Sequence, residues 1–158
     1  MPFVEVFTPR GSVAPDRRDA IASQLVAEVM RAEGAPDTPM ARSISWLTWQ
    51  ELEGWWVGGE RVDPVAPPRY VVRVSVPAGS LDDPKRLDMV QRVTAVLAGT
   101  EDDPHRLERE PVAWVHINEI PEGNWGARGR VVRFADIAAY VVGAGSAAPA
   151  GSVTAAAS

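Results

Sequence analysis

Pro2 is the residue whose position in the chain suggests chemistry. If Met1 is removed, Pro2 carries a free secondary amine and leads directly into the alternating segment of residues 3–6. A terminal α-amine has a reference pKa of about 7.7–8.0, and desolvation lowers that pKa because burial disfavours the ammonium form. Such an amine is a usable base near neutral pH. The alternative is a proline without a chemical role, since many chains begin with Met-Pro.

Other side chains suited to catalysis or metal binding are few. The chain has no cysteine, which excludes disulfides, thiol catalysis and Cys-based metal sites. Its two histidines, His105 and His116, are too few for a His-built metal site. The acidic residues at 82–83 and 101–103 are typical of helix caps and loops. We therefore expect no metal and no organic cofactor.

Length and composition indicate one globular domain. The 158 residues are 46% hydrophobic and 23% charged, with a net charge of −5. An acidic chain without a block of Lys or Arg is not expected to bind nucleic acid. There is no signal-peptide pattern and no apolar run of membrane-spanning length, so we expect no membrane partner and a cytoplasmic location.

The first half of the chain has the pattern strand, helix, strand. Residues 2–8 alternate between apolar and polar positions, which predicts a strand. Apolar residues at helical spacing predict a helix over 15–32, which is closed by residues 34–37. A second strand is predicted over 43–51, followed by a glycine-hinged turn at 54–59.

The second half predicts the same order of elements. Residues 70–76 form a strand, and Asp83-Pro84 is expected to cap and begin a helix. The closing strand runs over 112–120, and residues 131–142 form a short apolar element of uncertain type. The expected buried stripe of the second helix comprises Leu87, Val90, Val93 and Leu97.

The two halves are a repeat with a shift of 68 residues. The turn Pro9-x-Gly11-Ser12 recurs as Pro77-x-Gly79-Ser80, and one residue is inserted where Gly54-x-Trp56 recurs as Gly123-x-Trp125. The same shift relates further pairs, namely Trp46 to Trp114 and Glu51 to Glu119.

This repeat predicts the fold. A strand-helix-strand crossover makes its two strands parallel and right-handed. Two such units predict an α/β (α+β) fold, a four-stranded mixed sheet with two helices on one face. We expect a single domain over 1–142 with pseudo-repeats 2–62 and 69–131. Residues 143–158 are rich in Ala, Gly and Ser and are expected to form a disordered tail.

Together these features resemble the tautomerase superfamily. The N-terminal proline, the duplicated β-α-β units and the unit ends in which a glutamate is followed by Gly-x-Trp are similar to 4-oxalocrotonate tautomerase units. The length and the fused repeat resemble long-chain members such as cis-3-chloroacrylic acid dehalogenase and malonate semialdehyde decarboxylase. The stretch 124–130 is most similar to a segment of the decarboxylase, and the resemblance covers residues 2–140.

The resemblance implies an assembly and a mechanism. Members are trimers whose sheets face inward, with an active site near each Pro2 that a neighbouring subunit borders. The processed prolyl amine acts as general base or general acid on a small-molecule substrate. Arginines usually hold a substrate carboxylate, which suits the planar guanidinium fork.

This chain departs from the family pattern at the arginine positions. Ser12 stands at the usual turn position of the first unit, and Trp46 and Trp114 stand at the closing-strand positions. Arg10, two residues from Ser12, is a candidate substitute. These departures make a 2-oxo dicarboxylate or a haloacrylate a less favoured substrate. They favour a larger, more apolar substrate that stacks on tryptophan.

The remaining candidates come from the second unit. His116 shares a strand face with Trp114 and Asn118, and it is either a polar helper that positions water or donates to a carbonyl, or an interface histidine. Asn124 stands near the position of a second catalytic acid in the dehalogenase that the chain resembles. An amide cannot act as that acid, but it can form hydrogen bonds with a substrate. The predicted catalytic residues are Pro2 and His116. The predicted substrate-binding residues are Arg10, Trp114, Asn124, Trp125, Arg128 and Arg130.

Three functional hypotheses follow. The first is a tautomerase- or isomerase-like enzyme, including dehalogenase- or decarboxylase-type variants, in which Pro2 transfers a proton on an enol, α,β-unsaturated or 1,3-dicarbonyl substrate. The second is a catalytically silent homotrimer of the same fold that binds ligands or acts as a scaffold. The third is a tailoring enzyme for a bulky natural product, which the six tryptophans suggest.

Overall fold

The computed structural model describes residues 2–143, so the predicted tail lies outside the described residues except for Gly143. The strands are β1 Phe3–Pro9, β2 Trp46–Leu52, β3 Trp56–Val57, β4 Glu60–Arg61, β5 Tyr70–Pro77, β6 Ala113–Ile120, β7 Gly126–Ala127 and β8 Arg130–Val131. The helices are α1 Pro15–Glu33, α2 Pro39–Ser43, α3 Asp83–Ala98, α4 Arg106–Arg109 and α5 Phe134–Val141.

The main sheet has four strands in the order β2-β1-β5-β6. Within each unit the two strands are parallel, β1 with β2 and β5 with β6, because a helix crosses over between them. The units meet through β1 and β5, which are antiparallel. This arrangement confirms the predicted four-stranded mixed sheet.

Both long helices cover the same face of this sheet. Val4 and Val6 of β1 and Val72 and Val74 of β5 are fully buried beneath them. The alternation of these valines with polar or half-buried residues reflects the two-residue period of a strand, which sends every second side chain to the helices. The opposite face of the sheet is uncovered in the single chain.

The expected stripe of α3 is wrong in half of its residues. Leu87 is 59% exposed and Val90 is 36% exposed, whereas Met89 and Val96 are buried together with Val93. Met89, Val93 and Leu97 recur every four residues, so they lie on one side of the helix. Leu87 and Val90 are also apolar, but the helix turns them away from that side.

A glutamate at the end of each unit ties a turn, a helix and a strand together. Glu51 accepts hydrogen bonds from the Gly11 backbone N–H and from the Arg18 guanidinium, both at 2.8 Å. The second unit repeats this arrangement with Glu119, Gly79 and Arg86. The recurring glutamate therefore fixes the turn that follows the first strand of each unit.

Several local elements differ from the sequence-based expectations. The N-cap of α3 is Asp82 rather than Asp83, because the Asp82 side chain accepts from the Lys85 backbone N–H. The two glycine-hinged segments are small hairpins, β3–β4 and β7–β8. The short helices α2 and α4 lie where the sequence patterns predict no helix, and α2 includes Ser43, the first residue of the predicted second strand.

The element of uncertain type after residue 131 is the helix α5. Its residues Ile137 and Val141 are buried, and Val141 packs with Met30 and Ala41 in a second apolar cluster. The Thr38 hydroxyl donates to the Val141 carbonyl at 3.1 Å, which joins α5 to the end of the first unit. Among the helices of residues 2–143, none combines the length and apolarity needed to cross a bilayer.

Candidate functional site

A cavity of about 480 Å³ opens beside Pro2 at one end of the sheet. Pro2 is buried, and its carbonyl accepts a hydrogen bond from the Trp46 backbone N–H at 3.2 Å. This bond continues the pairing of β1 with β2 and holds Pro2 at the end of the sheet. The cavity is lined by Pro2, Phe3, Ile44, Trp46, Ser75, Ile120, Asn124, Trp125, Gly126 and Ala127.

The antiparallel junction of the two units brings these residues together. Phe3 is in register with Trp46 on β2 and with Ser75 on β5. Ser75 is in turn in register with Asn118 on β6. The beginning of the first unit therefore meets the end of the second unit, and each contributes walls to the cavity around Pro2.

The β7–β8 hairpin forms the outer wall. Its two-residue turn contains Arg128 at φ +55° and Gly129 at φ +72°, both in the left-handed region that a type I′ turn requires. The hairpin begins just after Asn124 and Trp125, which line the cavity. The turn therefore determines where this wall lies relative to Pro2.

The cavity is mainly apolar. Phe3, Ile44, Trp46, Ile120 and Trp125 supply apolar walls, while the polar side chains come from Ser75 and Asn124. None of the lining residues within the described chain carries a charged side chain. Apolar surroundings disfavour an ammonium ion, so a free amine at Pro2 would be held towards its neutral form.

Arg128 and Arg130 lie outside this cavity, on the same hairpin. They border a neighbouring open cleft of about 540 Å³ that shares Asn124 and Trp125 with the Pro2 cavity. The Arg128 guanidinium lies over the Tyr140 ring, 5.8 Å from its centroid. Neither arginine forms an ion pair with any residue in the described range 2–143.

His116 and Trp114 lie on the uncovered sheet face, away from the cavity lining. His116 is in register with Arg73, two residues or about 7 Å along β6 from Asn118. Trp114 is four residues, about 13 Å, from Asn118 and pairs with Val71. The structure thus places His116 in the row next to the cavity and Trp114 near the other end of the strand.

Arg10 lies at the far end of β1 from Pro2. The eight intervening steps of extended chain correspond to about 26 Å. Arg10 forms an ion pair with Glu53, and both side chains are largely exposed. The structure therefore does not bring Arg10 to the cavity of its own chain.

The first unit has a carboxyl group at the end of its helix α1, on Glu33. By the 68-residue shift, Glu33 corresponds to Glu101 and Pro2 corresponds to Tyr70. In the second unit, the Tyr70 hydroxyl donates to Glu101 at 2.7 Å. Burial raises the pKa of the Glu33 carboxyl above its usual range. The first unit therefore places a carboxyl group with a raised pKa at the end of α1.

Sequence reasoning missed several lining residues. Ser75, Ile44 and Ile120 gave no signal, because their place beside Pro2 depends on the antiparallel register of β1 and β5. Trp46 gave a partial signal, since it stands at a family arginine position, but it was not among the predicted site residues. Pro2, Asn124 and Trp125 are the predicted residues that the structure brings together.

No group of three or more His, Cys, Asp or Glu side chains within residues 2–143 is placed to hold a metal ion.

Comparisons with known proteins point to one fold. No protein-family model and no curated protein matches the sequence. The F6 fused 4-OT wild-type asymmetric trimer is 26% identical to this chain, with a TM-score of 0.63 over 82% of this chain and 94% of that chain. Pt0534 inactivated by 2-oxo-3-pentynoate is 16% identical, with a TM-score of 0.65 over the same shares.

N1, a member of the cis-3-chloroacrylic acid dehalogenase (cis-CaaD) family, is 19% identical, with a TM-score of 0.64 over 82% of each chain. Each of these three structures aligns over 82% of this chain with a TM-score above 0.6. The resemblance drawn from the sequence is thereby confirmed, and the chain has the fold of the tautomerase superfamily.

Proposed function

We propose that this protein is an enzyme of the tautomerase superfamily in which the amine of Pro2, freed by removal of Met1, transfers a proton on an enol, α,β-unsaturated or 1,3-dicarbonyl substrate. The observation that carries this proposal is the burial of Pro2 at the head of a cavity whose walls are apolar. Such walls lower the pKa of an amine and exclude water from the proton being transferred.

The cavity provides groups for orienting the substrate. The Ser75 hydroxyl and the Asn124 amide can donate to a carbonyl or enol oxygen, while Trp125 offers an aromatic face. Arg128 and Arg130, on the hairpin beside the cavity, are the proposed contacts for a substrate anion at its rim. His116 is the proposed polar helper from the adjacent row of the sheet.

We also propose that the protein assembles as a homotrimer. Three of the similar structures are described as fused 4-OT wild-type trimers, two asymmetric and one symmetric. The uncovered sheet face of this chain carries Trp46 and Trp114, which are 63% and 60% exposed. In such an assembly Arg10 contributes to catalysis only if it reaches the cavity of a neighbouring subunit.

A second candidate is a trimeric ligand-binding or scaffold protein without catalytic activity. The absence of charged side chains among the described lining residues favours it, because no cation lies beside Pro2 to hold a substrate carboxylate. The ability to bind a ligand is common to both candidates. Turnover that depends on Pro2 separates them.

The experiment compares enol-to-keto conversion of phenylenolpyruvate by the intact protein and by Pro2→Ala. We expect the variant to lose at least about 100-fold in rate, a typical contribution of a general base or acid. Mass spectrometry of both proteins must first show that Met1 is absent, since a retained Met1 makes the Pro2 nitrogen an amide. Equal rates in two processed proteins would contradict the proposed role of Pro2.

A covalent probe gives an independent readout. 2-Oxo-3-pentynoate, which inactivates Pt0534, is an electrophilic alkyne conjugated to a ketone, and a neutral amine adds to such an alkyne. We expect one adduct per chain, located on the N-terminal peptide, and loss of turnover in proportion to labelling. Labelling elsewhere with full activity would argue against a reactive prolyl amine.

A further inference from the structure

Two tryptophans, one from each half of the repeat, line the Pro2 cavity together. Trp46 begins β2, and Trp125 precedes β7 in the second unit. Trp46 is 63% exposed, and its ring N–H donates to the Ser43 carbonyl at 3.1 Å, which fixes one edge of the indole. Trp125 is half-buried, and its carbonyl accepts from the Val132 backbone N–H at 2.8 Å. The Trp46 indole is thus anchored through its ring nitrogen, and the Trp125 backbone is held by the pairing that extends the β7–β8 hairpin.

The polar groups in the cavity are neutral. The Ser75 hydroxyl and the Asn124 amide can donate hydrogen bonds to a carbonyl or enol oxygen, but neither group carries a charge that would neutralise a carboxylate. The arginines of the hairpin, Arg128 and Arg130, line the neighbouring cleft instead. Within the described chain, none of the lining side chains offers an ionic partner to a carboxylate that enters the cavity, so the loss of its hydration is not offset there.

We propose that the Pro2 cavity recognises an aryl carbonyl compound, with the ring held against Trp46 and Trp125 and the oxygen bound by Ser75 and Asn124, and that binding does not require a carboxylate. This inference rests on the proposed function for the location of the site and adds the substrate class. An aromatic ring gains from offset or edge-to-face contact with indole in addition to the apolar area that it buries.

The test uses two inert probes that share a ring and differ in charge. 3-Phenylpropionate carries a carboxylate, and methyl 3-phenylpropionate is neutral; neither enolises readily, so binding is measured apart from catalysis. Isothermal titration calorimetry of the full-length protein is expected to show that the ester binds at least as tightly as the acid. An acid that binds more than tenfold more tightly than the ester, or an ester that does not bind, would overturn the proposal.

Tryptophan variants locate the binding. Trp46→Ala and Trp125→Ala are each expected to weaken ester binding roughly tenfold. Trp56→Ala is the matched control. Trp56 corresponds to Trp125 in the repeat, and its exposure of 59% is close to that of Trp46. It lies on the β3–β4 hairpin and does not line the cavity. Equal affinities in Trp46→Ala and Trp56→Ala would contradict the assigned wall.

Additional measurements keep the two proposals separate. Circular dichroism checks the fold of each variant, and Trp46→Phe is expected to keep most of the affinity because it retains an aromatic face. Pro2→Ala is expected to bind the ester while losing turnover. If it keeps turnover, the proposed function fails; if it loses turnover while the tryptophan variants bind normally, only the substrate class fails.

Discussion

Tyr70 occupies in the second unit the position that Pro2 holds in the first, 68 residues earlier. Its ring is buried, and its hydroxyl donates to Glu101, which also pairs with the buried Arg106 at 2.8 Å. One end of the sheet therefore carries a closed polar network, while the other end carries the Pro2 cavity. At the residue scale, the equivalent positions of the two units therefore have different surroundings, a polar network at Tyr70 and an apolar cavity at Pro2.

This network predicts a sensitivity to alkaline pH. Burial and the hydrogen bond to Glu101 raise the pKa of Tyr70 well above its usual value. Because the folded-state pKa lies above the unfolded value of about 10, the contribution of Tyr70 to stability is fully present below pH 10. It is lost as the pH rises towards the folded-state pKa. We expect tyrosinate absorbance from Tyr70 to appear only with unfolding, as followed by absorbance at 295 nm and circular dichroism.

Two variants isolate the effect. Tyr70→Phe should lower the free energy of unfolding by about 1 kcal/mol at neutral pH, because the buried Glu101 loses a donor. It should also weaken the fall in stability above pH 10. Tyr140→Phe, in α5, should keep that fall. The same alkaline stability profile in Tyr70→Phe and the parent protein would contradict this assignment.

At the scale of elements, the unit-end glutamates organise both β-α-β units. Glu119 is 24% exposed and holds the turn after β5 through Gly79 and helix α3 through Arg86. That turn follows Ser75 closely on the chain, so its position affects the cavity wall. The hydrogen bond from Arg86 lowers the pKa of the Glu119 carboxyl below its usual range.

The lowered pKa predicts an acid-sensitive contribution to stability. The carboxylate stabilises the fold above the unfolded pKa of about 4.3, and this contribution is lost as the pH falls through the lower folded-state pKa. Glu119→Gln should lower the free energy of unfolding by about 1 kcal/mol at pH 7, a modest value because the ion pair is partly exposed.

Urea titrations at pH 7 and at about pH 3 measure this contribution, and the difference between Glu119→Gln and the parent protein should shrink at the lower pH. Glu108→Gln is the control, because the Glu108 side chain is 72% exposed and its polar partner within residues 2–143 is the exposed ring of His105, at 3.2 Å. A difference that is the same at both pH values would show that the ionised carboxylate does not carry the effect.

At the scale of the whole molecule, one face of the main sheet is covered by α1 and α3, and the described residues leave the opposite face uncovered. Residues that are in register on neighbouring strands lie side by side on this face. Glu5, Arg73 and His116 form one such row. The Arg73 guanidinium lies over the Phe7 ring, 5.0 Å from its centroid. In the proposed trimer, this face packs towards the neighbouring subunits.

A charged substitution on this face tests the assembly. Val71 is half-buried on the uncovered side of β5, so Val71→Asp should place a carboxylate in the subunit contact and dissociate the trimer in sedimentation velocity. Leu87→Asp is the matched control, because Leu87 is an exposed apolar residue on the helix layer. A parent protein that sediments as a monomer, or a Val71→Asp variant that remains trimeric, would contradict the proposed assembly.

Local patterns in the sequence determined the elements and their duplication. The alternation of Val4 and Val6, the helical spacing of Ile21, Leu25 and Val29, and the 68-residue repeat predicted the parallel units and the mixed sheet. These features depend on neighbours in the chain, so periodicity reveals them. Periodicity did not predict the buried side of α3 correctly. Two overlapping sets of apolar residues fit this helix, and packing against the sheet decides which set is buried.

The site itself was decided by tertiary structure. The antiparallel pairing of β1 with β5 places Ser75 opposite Phe3 and brings Trp125 to Pro2, more than 120 residues away in the chain. The same pairing leaves Arg10 at the opposite end of the sheet. Pro2 could be singled out from its chain position, whereas its surroundings depend on how two units join, and that register is a property of the folded sheet.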